Sequence, residues 1–461
     1  MSLCLICAGS GCSGSSPGGG RSRPPPPATT QLATPAPPLA PIPVSATLAA
    51  NETLARKRRA GEPVLPLAFG EAGLPAHPLL RDALAAASGG NAYGPVAGLP
   101  ALREAAAGYW TRRGTPASAT SVVCGPGSKA LLFGLLLAIG TDVAVPKPSW
   151  VSYAAQATMI GAQAHFVPAP PGEGGVCDAA ALARTVLAAR QAGRRIGAVV
   201  LTLPDNPTGQ LASPDSVRAA CQVAREHDLI IIADEIYRDL VHDPAAGFPS
   251  PVAYAPERTV ITTALSKSLA LGGWRIGVAR LPDGSTGRAL RDRLLGIGSE
   301  IWSAPSLPIQ HAAALAFSEP PELTERIARS RSLHAAVARA MADRFSAAGL
   351  RVPAPQAAFY LYPDFAPWRA RLRAAYGLST GAELAGHLLH RYGMGMLPGS
   401  AFGEDDTVLR MRVATALLYG ETDEQRETAL ASDDPARLPW IAAALARAEE
   451  VLADLAPPAG G

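Results

Sequence analysis

Through the middle of the chain, apolar residues gather into short unbroken runs, and the segments between them repeat apolar positions at helical spacing. Residues 121–124 form one such run, followed by a glycine turn and the helical stretch 130–139. Residues 142–145 form another, ended by Pro146, and residues 196–203 a third, closed by Pro204. Two more lie at 229–233 and 259–263. Strands that are apolar on both faces need cover on both, and intervening helices supply it. The pattern predicts an α/β fold whose large domain holds a mostly parallel sheet with helices on both faces. Ser213 followed by Pro214 has the form of an N-cap and first helical position, for a helix running to about His227. From about residue 318 the pattern becomes mainly helical, broken by strands at 358–362 and 408–413, which predicts a smaller α+β domain.

These readings divide the chain into five parts: a Pro/Gly-rich segment 1–38, a segment 39–75 packing on the small domain, a large domain 76–317, a small domain 318–456 and a tail 457–461. Residues 1–38 carry Pro24 to Pro27 in a row and many Gly and Ser. Such a segment buries too little apolar surface to offset its ordering entropy and is expected to be disordered, or untranslated if the true start lies further on.

Composition narrows the function. A net charge of +3 over 461 residues gives no electrostatic footprint for nucleic acid. The one basic run, Arg56-Lys57-Arg58-Arg59, reads as a solvated helix face. Among six cysteines, Cys4 and Cys7 have CxxC spacing, but no second pair or histidines follow at zinc distances. The internal cysteines read as small buried residues of a reducing compartment. No run is long enough to span a membrane, and residues 3–8 are too short for a signal peptide. A cytoplasmic enzyme with small-molecule substrates is expected, with no metal, membrane or nucleic-acid partner.

Only four of the 41 basic residues are lysines. One of them, Lys267, lies in Ser266-Lys267-Ser268, with Gly272-Gly273-Trp274-Arg275 beyond it. Upstream stand Asn206-Pro207-Thr208-Gly209 and Asp234-Glu235-Ile236-Tyr237. In parallel sheets ligands sit beyond the carboxyl ends of strands, and each of these groups follows a predicted strand. Gly127-Ser128-Lys129 follows the strand at 121–124 and opens a helix, which suits a phosphate. An amine, a carboxylate, a phenol, an amide and a guanidinium in these places suggest a site for pyridoxal phosphate, which needs a lysine for a Schiff base and an acid for its pyridinium nitrogen.

As a set, these motifs resemble the fold-type I pyridoxal-phosphate enzymes, specifically the class I/II aminotransferase family, over roughly residues 40–455. The resemblance implies an aspartate-aminotransferase-like fold. It makes Lys267 the residue that forms the internal aldimine and shuttles the proton, and Arg275 the phosphate grip. Asp234 becomes the partner of the ring nitrogen, and Tyr237 and Asn206 the donors to the ring oxygen. Gly127, Ser128 and Lys129 match the phosphate turn, Lys129 through its backbone, and Trp150 the aromatic that stacks on the ring. Tyr93 resembles a tyrosine that reaches the phosphate of the neighbouring subunit, and Gly70 the glycine beside the substrate carboxylate. Arg410 matches the arginine that grips that carboxylate; Arg412, two residues on and on the same strand face, is its rival.

The chain also departs from the family pattern. Ala264 stands where many relatives have a serine ligand of the phosphate, so Ser266, Ser268 or a partner chain is expected to supply that bond. The glycine common before the Phe-Tyr pair is replaced in Gln356-Ala357-Ala358-Phe359-Tyr360. Residues 417–438 read as an insertion expected to shape the substrate mouth. The functional expectation is a homodimeric aminotransferase of amino acid metabolism, moving an amino group between an α-amino acid and a 2-oxo acid. A lyase or cyclising synthase would use the same lysine, aspartate and tyrosine, and a non-catalytic regulatory module is the remaining reading.

Overall fold

The computed structural model describes residues 46–457. The Pro/Gly-rich segment 1–38, the Cys4/Cys7 pair and the tail beyond Pro457 lie outside the described residues.

Among the described residues there are twelve strands: β1 (Leu65–Pro66), β2 (Val122–Gly125), β3 (Asp142–Lys147), β4 (Ala164–Pro168), β5 (Ile196–Thr202), β6 (Ile230–Asp234), β7 (Thr259–Ala264), β8 (Gly277–Arg280), β9 (Tyr360–Leu361), β10 (Met394–Gly395), β11 (Leu397–Pro398) and β12 (Met411–Ala414). Seven of them form one sheet in the order β2-β8-β7-β6-β5-β3-β4. All pairs are parallel except those of β8, which runs against both β2 and β7. The link from β7 to β8 holds only a four-residue helix and a short turn. That is too little to cover a sheet face, so the chain returns antiparallel.

Each central strand is buried on both sides, as the unbroken apolar runs require. Val199, Leu201 and Ile231 face the helix Pro214–Glu226, through Val217 and Cys221. Val200, Ile232 and Val260 face the opposite layer, through Leu131 and Leu135 of the helix Ser128–Ile139. The alternation of cores along one strand follows the two-residue period of the pleat. Ser213 caps its helix, its hydroxyl accepting from the Ser216 N–H at 3.2 Å, with Pro214 at the first position. Strands β4 and β8 were not anticipated. β4 is an edge strand with alternating exposure, and β8 is four residues long, so neither shows a long apolar run.

The C-terminal part contributes the antiparallel sheet β11-β12-β9. Its two anticipated strands are shorter than the apolar runs that signalled them. The N-terminal segment joins it: β1 pairs with β10, and Ala414 N–H donates to Leu67 O at 2.8 Å. These bonds hold the stretch that follows β1 against β12.

Candidate active site

A cavity of about 790 Å³ opens beyond the carboxyl ends of β5, β6 and β7. Asp234 is the last residue of β6 and is 3% exposed. Its carboxylate accepts from the Tyr153 hydroxyl at 2.9 Å and from Thr262 at 3.4 Å, and Tyr153 also meets Thr202 at 2.9 Å. Burial raises the Asp234 carboxyl to about 6, against the lowering effect of these bonds. No ion pair compensates this carboxylate among the described residues, so a cationic group entering the cavity would find a ready partner.

Lys267 sits in the short helix Leu265–Ser268 after β7. Its ammonium donates to Gly70 O, and burial, followed by the field of Arg412, lowers it to about 8. The amine is therefore partly free near neutral pH, as a nucleophile or a base must be. Tyr237 and Tyr360 bring their hydroxyl oxygens to 2.7 Å. Asn206 accepts from Arg412 at 3.1 Å through Oδ1, which leaves its amide N–H groups as donors.

The glycine turn lies opposite these groups. Gly127 has φ +86°, and a Cβ there would come within 2.5 Å of the Arg275 guanidinium. Arg275 itself holds a left-handed backbone at φ +54° and donates to Gly272 O at 2.8 Å. Strain in a non-glycine residue of this kind concentrates at sites where it positions a group. With the N-terminus of the helix Ser128–Ile139 and the hydroxyls of Ser128 and Ser266 on the cavity wall, these residues fit an anion such as a phosphate. Trp150 lines the same wall, with Lys129 Nζ 5.1 Å from its ring centroid.

The two arginines separate. Arg412 is 1% exposed, lines the cavity, donates to Ala68 O, and lies 5.2 Å and 5.1 Å from the rings of Tyr360 and Phe402. Among the described residues it has no ion pair, and its Nε has no partner. Arg410 points elsewhere: it pairs with Glu404 at 2.6 Å, its side chain is 43% exposed, and it does not line the cavity. The expected placement of Arg410 at the cavity is corrected by this geometry. Two residues along a strand keep the face but move the side chain about 7 Å, which is enough to leave the cavity.

Lys267, Asp234, Tyr237, Asn206, Ser128, Lys129, Trp150, Ser266, Arg275 and Gly70 all line the one cavity, and Gly127 backs it through Arg275. Ser268 does not line it, and Tyr93 is 92% exposed, away from the cavity of its own chain. The expected mouth insertion is also corrected. Residues 417–438 form a helix, Asp423–Ala431, tied to Arg326 through Glu427 at 2.6 Å, and none of them lines the cavity. Sequence reasoning passed over Tyr153 and Tyr360. Tyr153 had a signal, three residues after Trp150 and so facing the same way in a helical turn; the two rings meet edge to face at 5.2 Å.

A mostly parallel α/β sheet with an amine, a buried acid and an anion turn at its carboxyl edge defines an enzyme of group transfer on small molecules. Residues 64–429 match the family described as "Aminotransferase class I and II". The chain belongs to that family, whose members use pyridoxal phosphate, and it is an aminotransferase acting on amino acid and oxo acid substrates. It is 32% identical over 393 residues to an aspartate aminotransferase of Geobacillus stearothermophilus, covering 83% of this chain and 95% of that one. It is 31% identical over 367 residues to a probable aspartate/prephenate aminotransferase of Thermus aquaticus, covering 76% and 92%. The solved aspartate aminotransferase of Thermus thermophilus with maleate superposes with a TM-score of 0.72 at 28% identity, covering 84% of this chain and 95% of that one. Among the described residues no helix is long and apolar enough to cross a membrane.

Proposed function

We propose that the chain is a pyridoxal-phosphate-dependent transaminase whose amino donor is a dicarboxylic amino acid, working as a homodimer. The observation that carries this reading is Arg412, a buried guanidinium without a counter-ion, in one cavity with Lys267 and Asp234. A buried charge of this kind is costly alone and strongly favours a carboxylate ligand. Lys267 would bond the cofactor, Asp234 would pair with its ring nitrogen, Tyr237 and Asn206 would donate to its ring oxygen, and Arg275 with the Gly127–Lys129 turn would hold its phosphate. When bound, that group withdraws electrons from the substrate Cα. Arg412 holds the α-carboxylate through a bidentate fork and so sets which Cα bond faces Lys267. The Lys267 amine would then take the proton from the substrate Cα and deliver it to the cofactor carbon that keeps the amino nitrogen, not back to Cα.

Four cations line the cavity: Lys129, Lys267, Arg275 and Arg412. With three of them assigned, the ammonium of Lys129 beside Trp150 is left for a second carboxylate. The names of the relatives, aspartate and aspartate/prephenate aminotransferases, agree with an acidic donor. The dimer reading is supported by Tyr93, whose ring is exposed and does not line the cavity of its own chain.

The test is a visible spectrum of the purified protein with pyridoxal phosphate, titrated with aspartate, glutamate, aromatic and aliphatic amino acids. The expected result is loss of the long-wavelength band at the lowest concentration with an acidic amino acid, and its return on adding a 2-oxo acid. A band that persists while oxo acid accumulates would replace transamination by elimination. A protein with a stable band and no response to any amino acid would be a binding module.

A further inference from the structure

Tyr237 and Tyr360 form a closed count of protons. Both are buried, at 3% and 1% exposure, and both line the cavity. Among the described residues the 2.7 Å contact between their hydroxyls is the one hydrogen bond either hydroxyl makes. Two hydroxyls carry two protons, and one mutual bond uses one of them. The second proton must point into the cavity, and the surroundings decide which oxygen carries it.

The Tyr360 hydroxyl is shut in. A Cβ on Gly70 would lie 2.3 Å from Tyr360 Oη, so the backbone of Gly70 occupies that side. The Tyr360 ring packs 4.7 Å from Phe359 and edge to face with Tyr237 at 5.5 Å, and its backbone is held by the pairing of Tyr360 with Ala414. The Tyr237 ring instead lies below the Lys267 ammonium, 5.8 Å from its centroid, on the side where a cofactor bonded to that lysine would stand. The free proton therefore belongs to Tyr237.

From this we infer that Tyr360 is a positioning residue: its hydroxyl donates to Tyr237, and so turns the Tyr237 proton toward the ring oxygen of a bound cofactor. Gly70 is required beside it because any side chain there would displace the Tyr360 hydroxyl. The inference rests on the proposed cofactor reading and deepens it. Three chain segments meet at this oxygen: the stretch after β1, the turn after β6, and β9. The order of donors thus exists only when the N-terminal segment and the small sheet are docked on the large sheet. In chains of hydrogen bonds each donor strengthens the next by roughly 10–30%. Tyr360 should thus make Tyr237 a stronger donor and stabilise the anionic form of the ring oxygen.

The experiment is a pH titration of the long-wavelength band of the holoenzyme. The expected result for Tyr360→Phe is a midpoint raised by about 0.2–0.5 pH unit. Tyr237→Phe should raise it further, and adding Tyr360→Phe to Tyr237→Phe should change nothing more, since the effect passes through the Tyr237 proton. Gly70→Ala should reproduce the Tyr360→Phe shift. The charged groups facing the pair, Arg412, Asp234 and Lys267, are unchanged in all these variants. An unshifted midpoint in Tyr360→Phe, or an equal shift with and without the Tyr237 hydroxyl, would overturn the inference while leaving the cofactor reading intact. Absence of the band in the parent protein would overturn both.

Discussion

Replacing Arg412 and Arg410 one at a time separates the two readings of the substrate clamp. Arg412 is 1% exposed and unpaired, so in the complex its guanidinium and the substrate carboxylate form a buried pair. Removing one partner of such a pair costs about 3–5 kcal/mol, and each 1.4 kcal/mol is tenfold. Arg412→Leu should therefore lower kcat/KM by about 10²–10⁴-fold for the amino acid and the oxo acid alike. The Arg410 side chain is 43% exposed and already engaged by Glu404, which keeps a second bond from Tyr362 at 2.6 Å. Arg410 does not line the cavity, so Arg410→Leu should change kcat/KM by less than about fivefold, and its cost should fall on stability, because Glu404 is 5% exposed and loses its partner. The apo protein should tolerate Arg412→Leu. The lost bonds to Asn206 and Ala68 are offset by removing an uncompensated buried cation, so the melting temperature should stay within about 4 °C. The assay is single-turnover loss and return of the cofactor band with each substrate, alongside a melt of the apo protein. A loss of about 10³-fold in Arg410→Leu, with Arg412→Leu near the parent, would refute the reasoning.

Other outcomes follow from the same geometry. Lys267→Ala should abolish the long-wavelength band, and in the parent the rate of cofactor capture by the apo protein should rise with pH and level off near about 8, where burial and Arg412 place the amine. Asp234 has a folded value near 6 against 3.8 for the free group, so the folded state binds more protons between these values. Its contribution to apo stability should fall as pH rises from about 4 to about 6, by at most about 3 kcal/mol, and stay flat above; Asp234→Asn should remove that slope in denaturant titrations. Lys129→Ala should cost about 10–100-fold in kcat/KM for acidic donors and little for aromatic ones, since a charge-assisted bond is the difference between them. Glu427→Ala should leave kcat/KM within about twofold for every donor, because its partner Arg326 lies away from the cavity.

The amino-acid sequence by itself determined the layered architecture. Runs such as 196–203 and 229–233 are apolar on both faces, and no arrangement other than a sheet covered twice buries them. It also marked Lys267, Asp234, Asn206 and Arg275 as residues of one cavity, because each lies beyond the carboxyl end of a strand, where a parallel sheet opens to a ligand. Local signals sufficed for the Ser213 cap, where hydroxyl and N–H are three residues apart. Contacts between distant segments were a different matter. Arg410 and Arg412 share a strand face, and only the docking of β12 against Asn206 and the stretch after β1 put Arg412 in the cavity and left Arg410 to Glu404. The insertion looked like a neighbour of the site in sequence, yet its helix is held by Arg326, on another helix. Tyr360 could not be assigned a role until its hydroxyl was seen between Gly70 and Tyr237, residues 290 and 123 positions away. Periodicity and spacing report on a strand's own faces and ends; which side chains meet across the cavity depends on how separate segments pack, and that only the tertiary structure decides.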